Sequence, residues 1–276
     1  MKMNYKLFLI FFVIIFLSKG FSQISINPPV IFIDNNTRTG TITVFNQSQD
    51  SKEIEISLKY GYVDTDSTGN SVLIFNDTLT EKKYSIAPYT SIYPKKFILK
   101  PNQQQDVKFM VKNVINLTDG TYWTRIITTS SDVKKQIDTS NYKDSIRLAL
   151  KFKFEFITAL FFQKGKLNTS INIDSIETRS DSNNVVIGFY FGKSGNSPCM
   201  GKYKISIFNS DNDKIEEISD QISIYFNSKR YFVFKKDKFK PGNYKLIITL
   251  NDDFPVIPEE NKVRFKEISK SFDFSL

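Results

Sequence analysis

Residues Asp144–Phe156 read DSIRLALKFKFEF. Ile146, Leu148, Leu150, Phe152, Phe154 and Phe156 fall at every second position, with Arg147, Ala149, Lys151, Lys153 and Glu155 between them. Successive side chains of a strand point to opposite faces, so this period of two predicts a strand with one apolar face and one charged face. The run is long for a strand, for which about 5–6 residues is usual. Its apolar residues are large and evenly spaced. They suit a partner's groove as well as a core of their own, and we read the stretch as the working surface of the chain.

Upstream lies a series of short strand-like segments. ISINPPVIFID (24–34), TGTITVFNQ (39–47), KEIEISLKYGYV (52–63), YSIAPY (84–89), KKFILKP (95–101), QDVKFMVKN (105–113) and TDGTYWTRIITTS (118–130) are separated by polar turns such as DTDSTGN (64–70). The two prolines of the first segment confine it to a sheet edge or a strand start. No useful length of this half has a period of 3.6. SSDVKKQIDTSNYKDS (130–145) is polar and aperiodic and predicts a long loop leading into the central strand. After that strand, ALFFQKGK (159–166) runs to Gly165, where we expect the junction between two domains.

Downstream the pattern repeats, in SINIDSIETR (170–179), NVVIGFYFGK (184–193), GKYKISIFN (201–209), QISIYFNSKRYFVFKK (221–236), PGNYKLIITLND (241–252) and KSFDFSL (270–276). DGTYWTRI (119–126), near the end of the first half, matches PGNYKLII (241–248), near the end of the second. A turn, a Gly and then a Tyr on the incoming strand is the pattern of a tyrosine corner in immunoglobulin-like sandwiches. Regular short strands with polar turns in both halves predict an all-β chain of two tandem immunoglobulin-like β-sandwiches. The expected division is 23–160 and 161–276, with the sandwiches meeting around Thr158–Gly165 and little helix.

The chain has 276 residues, which suits two domains of about 100–150 residues each. With 26 Phe and 13 Tyr there is enough apolar mass for full cores. Residues Met1–Ser22 read as a secretion signal: Lys2 and Lys6 precede the apolar run LFLIFFVIIFL (7–17), and Gly20 and Ser22 are small residues placed for cleavage before Gln23. A run of about eleven apolar residues falls short of the ~20 needed to span a bilayer. The mature protein is therefore expected to be exported and soluble, without stable membrane insertion. Removing 1–22 takes away Lys2, Lys6 and Lys19 and no acid, which lowers the net charge from +9 to +6. The remaining charges are interspersed. There is neither a dense basic patch nor an aromatic stacking motif, so nucleic acid is not an expected partner.

Histidine is absent, which removes the commonest general base and the commonest metal ligand. No Ser-His-Asp or Cys-His pair is possible. Cys199 is the single cysteine; it excludes an intramolecular disulfide and, following Pro198 in a polar turn, reads as an incidental thiol. The aspartates of DTDSTGN (64–70) and SDND (210–213) lack a calcium-loop spacing and read as solvated turns. Nothing points to a pair of hydrolytic carboxylates. We expect no catalytic residue, no metal and no cofactor, and the chain is not read as an enzyme.

Four pieces of the first half resemble the periplasmic chaperones of pili and fimbriae, the PapD type. INPPVIFIDNNTRTGTITVFNQS (26–48) looks like their first two strands, with an Arg-containing turn and an Asn closing the second. PYTSIYPKKFILKPNQQQDVKFMV (88–111) looks like their most characteristic run, which falls here on Pro88, Pro94, Phe97, Leu99, Pro101, Gln105 and Val107. DGTYWTRI (119–126) is similar to the start of the sixth strand, and SIRLALKFKFEF (145–156) looks like the seventh, which the family lends to its client. The match covers roughly 24–157; the second half is similar only as a sandwich of suitable size.

The resemblance implies a molecular chaperone that binds exported pilus- or fimbria-like subunits and completes them with an edge strand, an outer-membrane usher being a further partner the family admits. A subunit lacking its last strand exposes a groove and unpaired backbone, and an added strand covers both. By the resemblance, Ile146, Leu148 and Leu150 are donor positions and Phe152 extends them. They could equally complete the chain's own core; the flanking loop favours donation. Phe154 and Phe156 are expected in the chain's own core. The family holds its client's terminal carboxylate with a first-strand Arg and a seventh-strand Lys in the cleft between domains, and those positions fall here at Pro29 and Glu155. Lys153, two residues earlier on the same face, is the expected replacement in the cleft, with Arg38 and Arg125 as further candidates. The alternative is a structural or adhesive two-sandwich protein that keeps its seventh strand for itself.

Overall fold

A computed structural model describes residues 24–133 and 152–276, which form two β-sandwiches in tandem. Strands β1 (Ile24–Asn27) and β2 (Val30–Asp34) flank the two prolines. The chain leaves one sheet for the other there, and a proline has no N–H to leave unpaired. Both strands end up at sheet edges, as the prolines require.

The first sandwich adds β3 (Thr39–Asn46), β4 (Lys52–Lys59), β7 (Thr90–Tyr93), β8 (Lys96–Leu99), β9 (Gln104–Val111), β10 (Gly120–Asp132) and β11 (Lys153–Lys164). One sheet has the order β1-β3-β9-β7 and the other β2-β11-β10-β4-β8. The inward faces of the two supply a core that includes Ile33, Ile42, Val44, Ile54, Val107, Phe109, Ile126, Leu160 and Phe162. Between β4 and β7 the chain inserts a hairpin, β5 (Gly61–Thr65) and β6 (Ser71–Phe75), and a helix, α1 (Thr78–Tyr84). Asp77 starts the helix by accepting the Thr80 N–H at 3.2 Å, and Lys82 and Lys83 close its last turn. Seven residues are too few for a 3.6 period to show, which is why the sequence does not announce α1.

In the second sandwich, β12 (Thr169–Ser180), β13 (Asn184–Gly195) and β16 (Ser228–Lys235) face β15 (Lys214–Ile224), β14 (Cys199–Phe208), β17 (Asn243–Asn251) and β18 (Ile268–Ser275). Its core gathers Ile173, Val185, Ile187, Phe189, Ile205, Ile207, Leu246, Ile248 and Leu250. Each sandwich has its tyrosine corner. Tyr122 Oη donates to the Thr118 carbonyl at 3.0 Å, and Tyr244 Oη donates to the Lys240 carbonyl.

The last strand of the first sandwich lies further along the chain than its alternating pattern suggests. It continues through Ala159, Leu160, Phe161 and Phe162, all buried, to Lys164. The alternation fades there because both faces are covered. Leu160 and Phe162 enter the first core, while Ala159 and Phe161 join a separate cluster with Tyr60, Trp123 and Tyr225 at the domain junction. Residues 161–164 therefore belong to the first sandwich, and the boundary shifts from 160 to the turn before β12. Gly165 makes that turn at φ +64, a backbone that favours glycine, and the next N–H, that of Lys166, donates to Asp119 Oδ2 at 3.0 Å. The expected signal, 1–22, and most of the expected loop lie outside the described residues. Among those described, no helix is long and apolar enough to cross a membrane.

Candidate functional site at the open edge of the first sandwich

Strand β11 is paired along its whole length on one side, from Lys164 opposite Gly120 to Lys153 opposite Ser131 on β10. On its other side β2 runs parallel to it and covers only Ala159–Gln163. From Thr158 back to Phe152, no strand among the described residues lies on that edge. The Ala159 N–H donates to the Pro29 carbonyl at 3.2 Å, so it points to the β2 side. Alternate residues of a strand share a direction, so the backbone groups of Ile157, Glu155 and Lys153 point to the open edge. Such a row of unpaired groups is a template for another strand.

The side chains follow the same alternation. The face that carries Leu160 and Phe162 into the first core continues through Phe156, half-buried against that core, to Phe154 and Phe152. Phe154 is 47 % exposed and Phe152 62 %, their ring centroids 6.4 Å apart and their planes within 22°. On the other face, Lys153 and Glu155 form an exposed ion pair at 3.0 Å, and Ile157 lies opposite the buried Ile127. Phe156 meets the expectation of an own-core residue. Phe154 does not: Ser130 and Ile54, level with it on the same face, are buried, but Phe154 stands on the outer strand, beyond the reach of β2, and is left exposed. Of the expected donor positions, Phe152 is exposed on this edge, while Ile146, Leu148 and Leu150 lie outside the described residues.

The anchor positions are placed differently from expectation. Lys153 is six residues from Ala159, about 20 Å along a strand rising ~3.3 Å per residue, so it stands away from the second sandwich. Pro29 and Glu155 are not neighbours either, since Pro29 meets the strand at Ala159. Arg38 is exposed in the turn after β2, its Nε on the Asn35 carbonyl at 3.0 Å.

Arg125 is the basic residue that the fold brings to the junction. It sits on β10 directly opposite Ala159, whose partner on β2 is Val30. Its side chain points away from the first core, beside Trp123 and under the second sandwich. It is 6 % exposed, with Nε on the Gly61 carbonyl and Nη2 on Tyr225 Oη, both at 3.0 Å. No carboxylate pairs with it among the described residues. Arg230, the other buried guanidinium at the junction, has Asp64 at 2.7 Å and the Val63 and Ser223 carbonyls at 3.0 and 2.8 Å. Buried charges are ordinarily paired, and among the described residues the partners of Arg125 are neutral groups. Nothing in the spacing of the sequence marks Arg125; only the register shows it.

Cys199 is fully buried, which pushes its thiol up to about 12 and leaves no thiolate for chemistry. Asp66 turns back on its own loop, accepting from the Thr68 hydroxyl at 2.7 Å and the Thr68 and Asn70 N–H groups at 2.8 and 3.0 Å. Among the described residues no group of three or more acidic or cysteine side chains is placed to hold a metal.

No family model matches the sequence, and no curated protein is similar to it. Solved structures are. The chaperone YadV is 10 % identical, with 92 % of this chain and all of that one covered, at a TM-score of 0.47. The class 5 fimbriae chaperone CfaA is 15 % identical over 90 % of this chain and 98 % of its own, at 0.44. A chain of the CsuC–CsuE chaperone–tip adhesion subunit pre-assembly complex from Acinetobacter baumannii is 10 % identical over the same shares, also at 0.44. In course of chain, this protein is similar to the chaperones of fimbriae and pili.

Proposed function

We propose that the protein is an exported chaperone that holds an incomplete pilus- or fimbria-like subunit in the periplasm by lending it the open edge of β11. The observation that carries this reading is the edge from Phe152 to Thr158, on which no strand lies among the described residues and whose apolar row continues a filled core out into solvent. Backbone pairing along such an edge gives affinity that tolerates sequence, and alternate side chains filling a groove give selectivity. Ile146, Leu148, Leu150 and Phe152 are the donor side chains. Each one buried fully contributes about 1.5–3 kcal/mol before ordering costs are subtracted. A client's terminal carboxylate is assigned to Arg125 rather than Lys153, since Lys153 is already neutralised by Glu155. A tip adhesion subunit accompanies the chaperone in the similar CsuC–CsuE complex, and a client of that class suits this edge.

A proline at position 155 tests the reading. The Glu155 N–H faces the open edge, so Glu155→Pro removes a donor with no strand partner among the described residues, and proline is tolerated on such an edge. The subunit that co-elutes with the parent from the native periplasm, once identified and purified, is the probe. We expect Glu155→Pro to keep the melting temperature within a few degrees and to lose the subunit, while Glu155→Gln binds it as the parent does. A proline variant that still binds would sink the lent-strand reading. One that unfolds would favour a structural protein that uses this edge itself.

A further inference from the structure

We propose that Phe152 and Phe154 act as a pair to select the partner, admitting only a groove with two adjoining pockets that each take an aromatic ring. This rests on β11 being a lent strand, and it adds Phe154 to the residues that touch the partner. The two rings project from the same face of the strand, two residues apart, with centroids 6.4 Å apart and planes only 22° from parallel. That separation is the natural rise of two strand residues, about 6.6 Å, so neither side chain bends away from its own position. The row then divides at Phe156, which packs on the first core, while Phe154 and Phe152 pack on each other and are left 47 % and 62 % exposed.

Single exposed apolar residues are ordinary, but two adjacent rings on an unpaired edge are an aggregation hazard. The other face of the same segment, with Lys153 and Glu155 paired, carries no net charge and so gives little guidance to a partner. Selection then falls on the shape of the rings. A phenylalanine has two side-chain torsions and loses little freedom on burial. A groove shaped for branched aliphatic side chains is overfilled by rings, and a groove shaped for rings is left with voids by leucine. The occupant we assign is an exported subunit with an open groove. A second copy of this chain could pair with the edge but would bring rings of its own where pockets are needed.

The test uses the full mature chain and, as probe, the purified subunit that co-elutes with it. Phe152→Leu/Phe154→Leu keeps the strand apolar and removes only the aromatic shape; Phe154→Asp places a charge in the groove. We expect the double leucine variant to melt as the parent does and to bind the subunit at least about tenfold more weakly, since two voids are left, and the aspartate variant to lose binding. Parent-like binding by the double leucine variant with lost binding by the aspartate variant would overturn the aromatic selection and leave the lent strand standing. Parent-like binding by both would overturn both. A lowered melt for Phe154→Asp would place Phe154 in the chain's own core and overturn the proposal, as would a dimer of this chain that the same change dissolves.

Discussion

Asn46 has no exposed surface, yet its side chain is fully used. Its Nδ2 donates to the Asp50, Leu99 and Lys100 carbonyls at 2.8, 3.0 and 3.1 Å, and its Oδ1 accepts from the Ser48 N–H and hydroxyl at 3.0 and 2.7 Å. One residue thereby ties the end of β3 to the loop after β8. Asn46→Ala takes the side-chain donor from the buried Leu99 carbonyl, leaves the Ser48 N–H and hydroxyl without their acceptor and opens a void in a site with no exposed surface; it is expected to cost about 3 kcal/mol, lowering the melting temperature by roughly 10 °C. A melt unchanged within two or three degrees would show that water replaces the side chain. The sequence marks this residue because an Asn ends an alternating run, which is a local signal. Arg125 gives no such signal. It sits in a strand among threonines and isoleucines, and its importance comes from strands that pass beside it from other parts of the chain.

At the scale of elements, alternation made most strands legible before the fold was known: β3, β4, β9 and β17 each carry one buried and one open face. It misplaced the end of β11, where two different clusters cover the two faces and the period of two disappears. The turn at 64–70 was legible from Asp, Asn, Gly and Thr, whose side chains fold back on the backbone, while the hairpin that it closes was not, since β5 continues the run of β4 after a single residue and β6 is short. That chemistry also sets a response to acid. The Thr37 hydroxyl and N–H hold Asp34 below the usual carboxylate value, and the Thr68 hydroxyl, with the Asn70 and Thr68 N–H groups, holds Asp66 at about 2. A carboxyl whose folded pKa is depressed stabilises the fold above its unfolded pKa, near 3.8, and loses that contribution as pH falls toward the folded value. The melting temperature is therefore expected to fall between pH ~4 and ~2, and Asp34→Asn/Asp66→Asn to show a shallower fall. A double variant as steep as the parent would show that other carboxylates dominate.

The whole molecule is held at its junction by groups drawn from four places: the hairpin, α1, the outer face of the first sandwich and the second sandwich. Tyr84 of α1 stacks on Trp123 with centroids 5.0 Å apart, Tyr225 packs on the same ring at 4.9 Å, and Arg230 reaches back to Asp64. The sequence could not foretell these contacts, because each joins residues far apart in the chain and none repeats with a period. Arg125 lies among them without an acidic partner among the described residues. A charge buried without an opposite one costs desolvation energy that an apolar side chain does not. Arg125→Met is thus expected to melt at or above the parent's temperature while binding the client at least about tenfold more weakly. A lower melt with unchanged binding would make Arg125 a structural tie alone. The central claim, that β11 is open in the free protein and filled in the complex, is tested most directly by hydrogen exchange of single amides. The Lys153, Glu155 and Ile157 N–H groups are expected to exchange fast in the free protein and to slow by about a hundredfold or more when the purified client is bound, while the Ala159 amide, already paired, stays slow in both. Slow exchange at Glu155 and Ile157 in the free protein, or unchanged fast exchange in the complex, would contradict it.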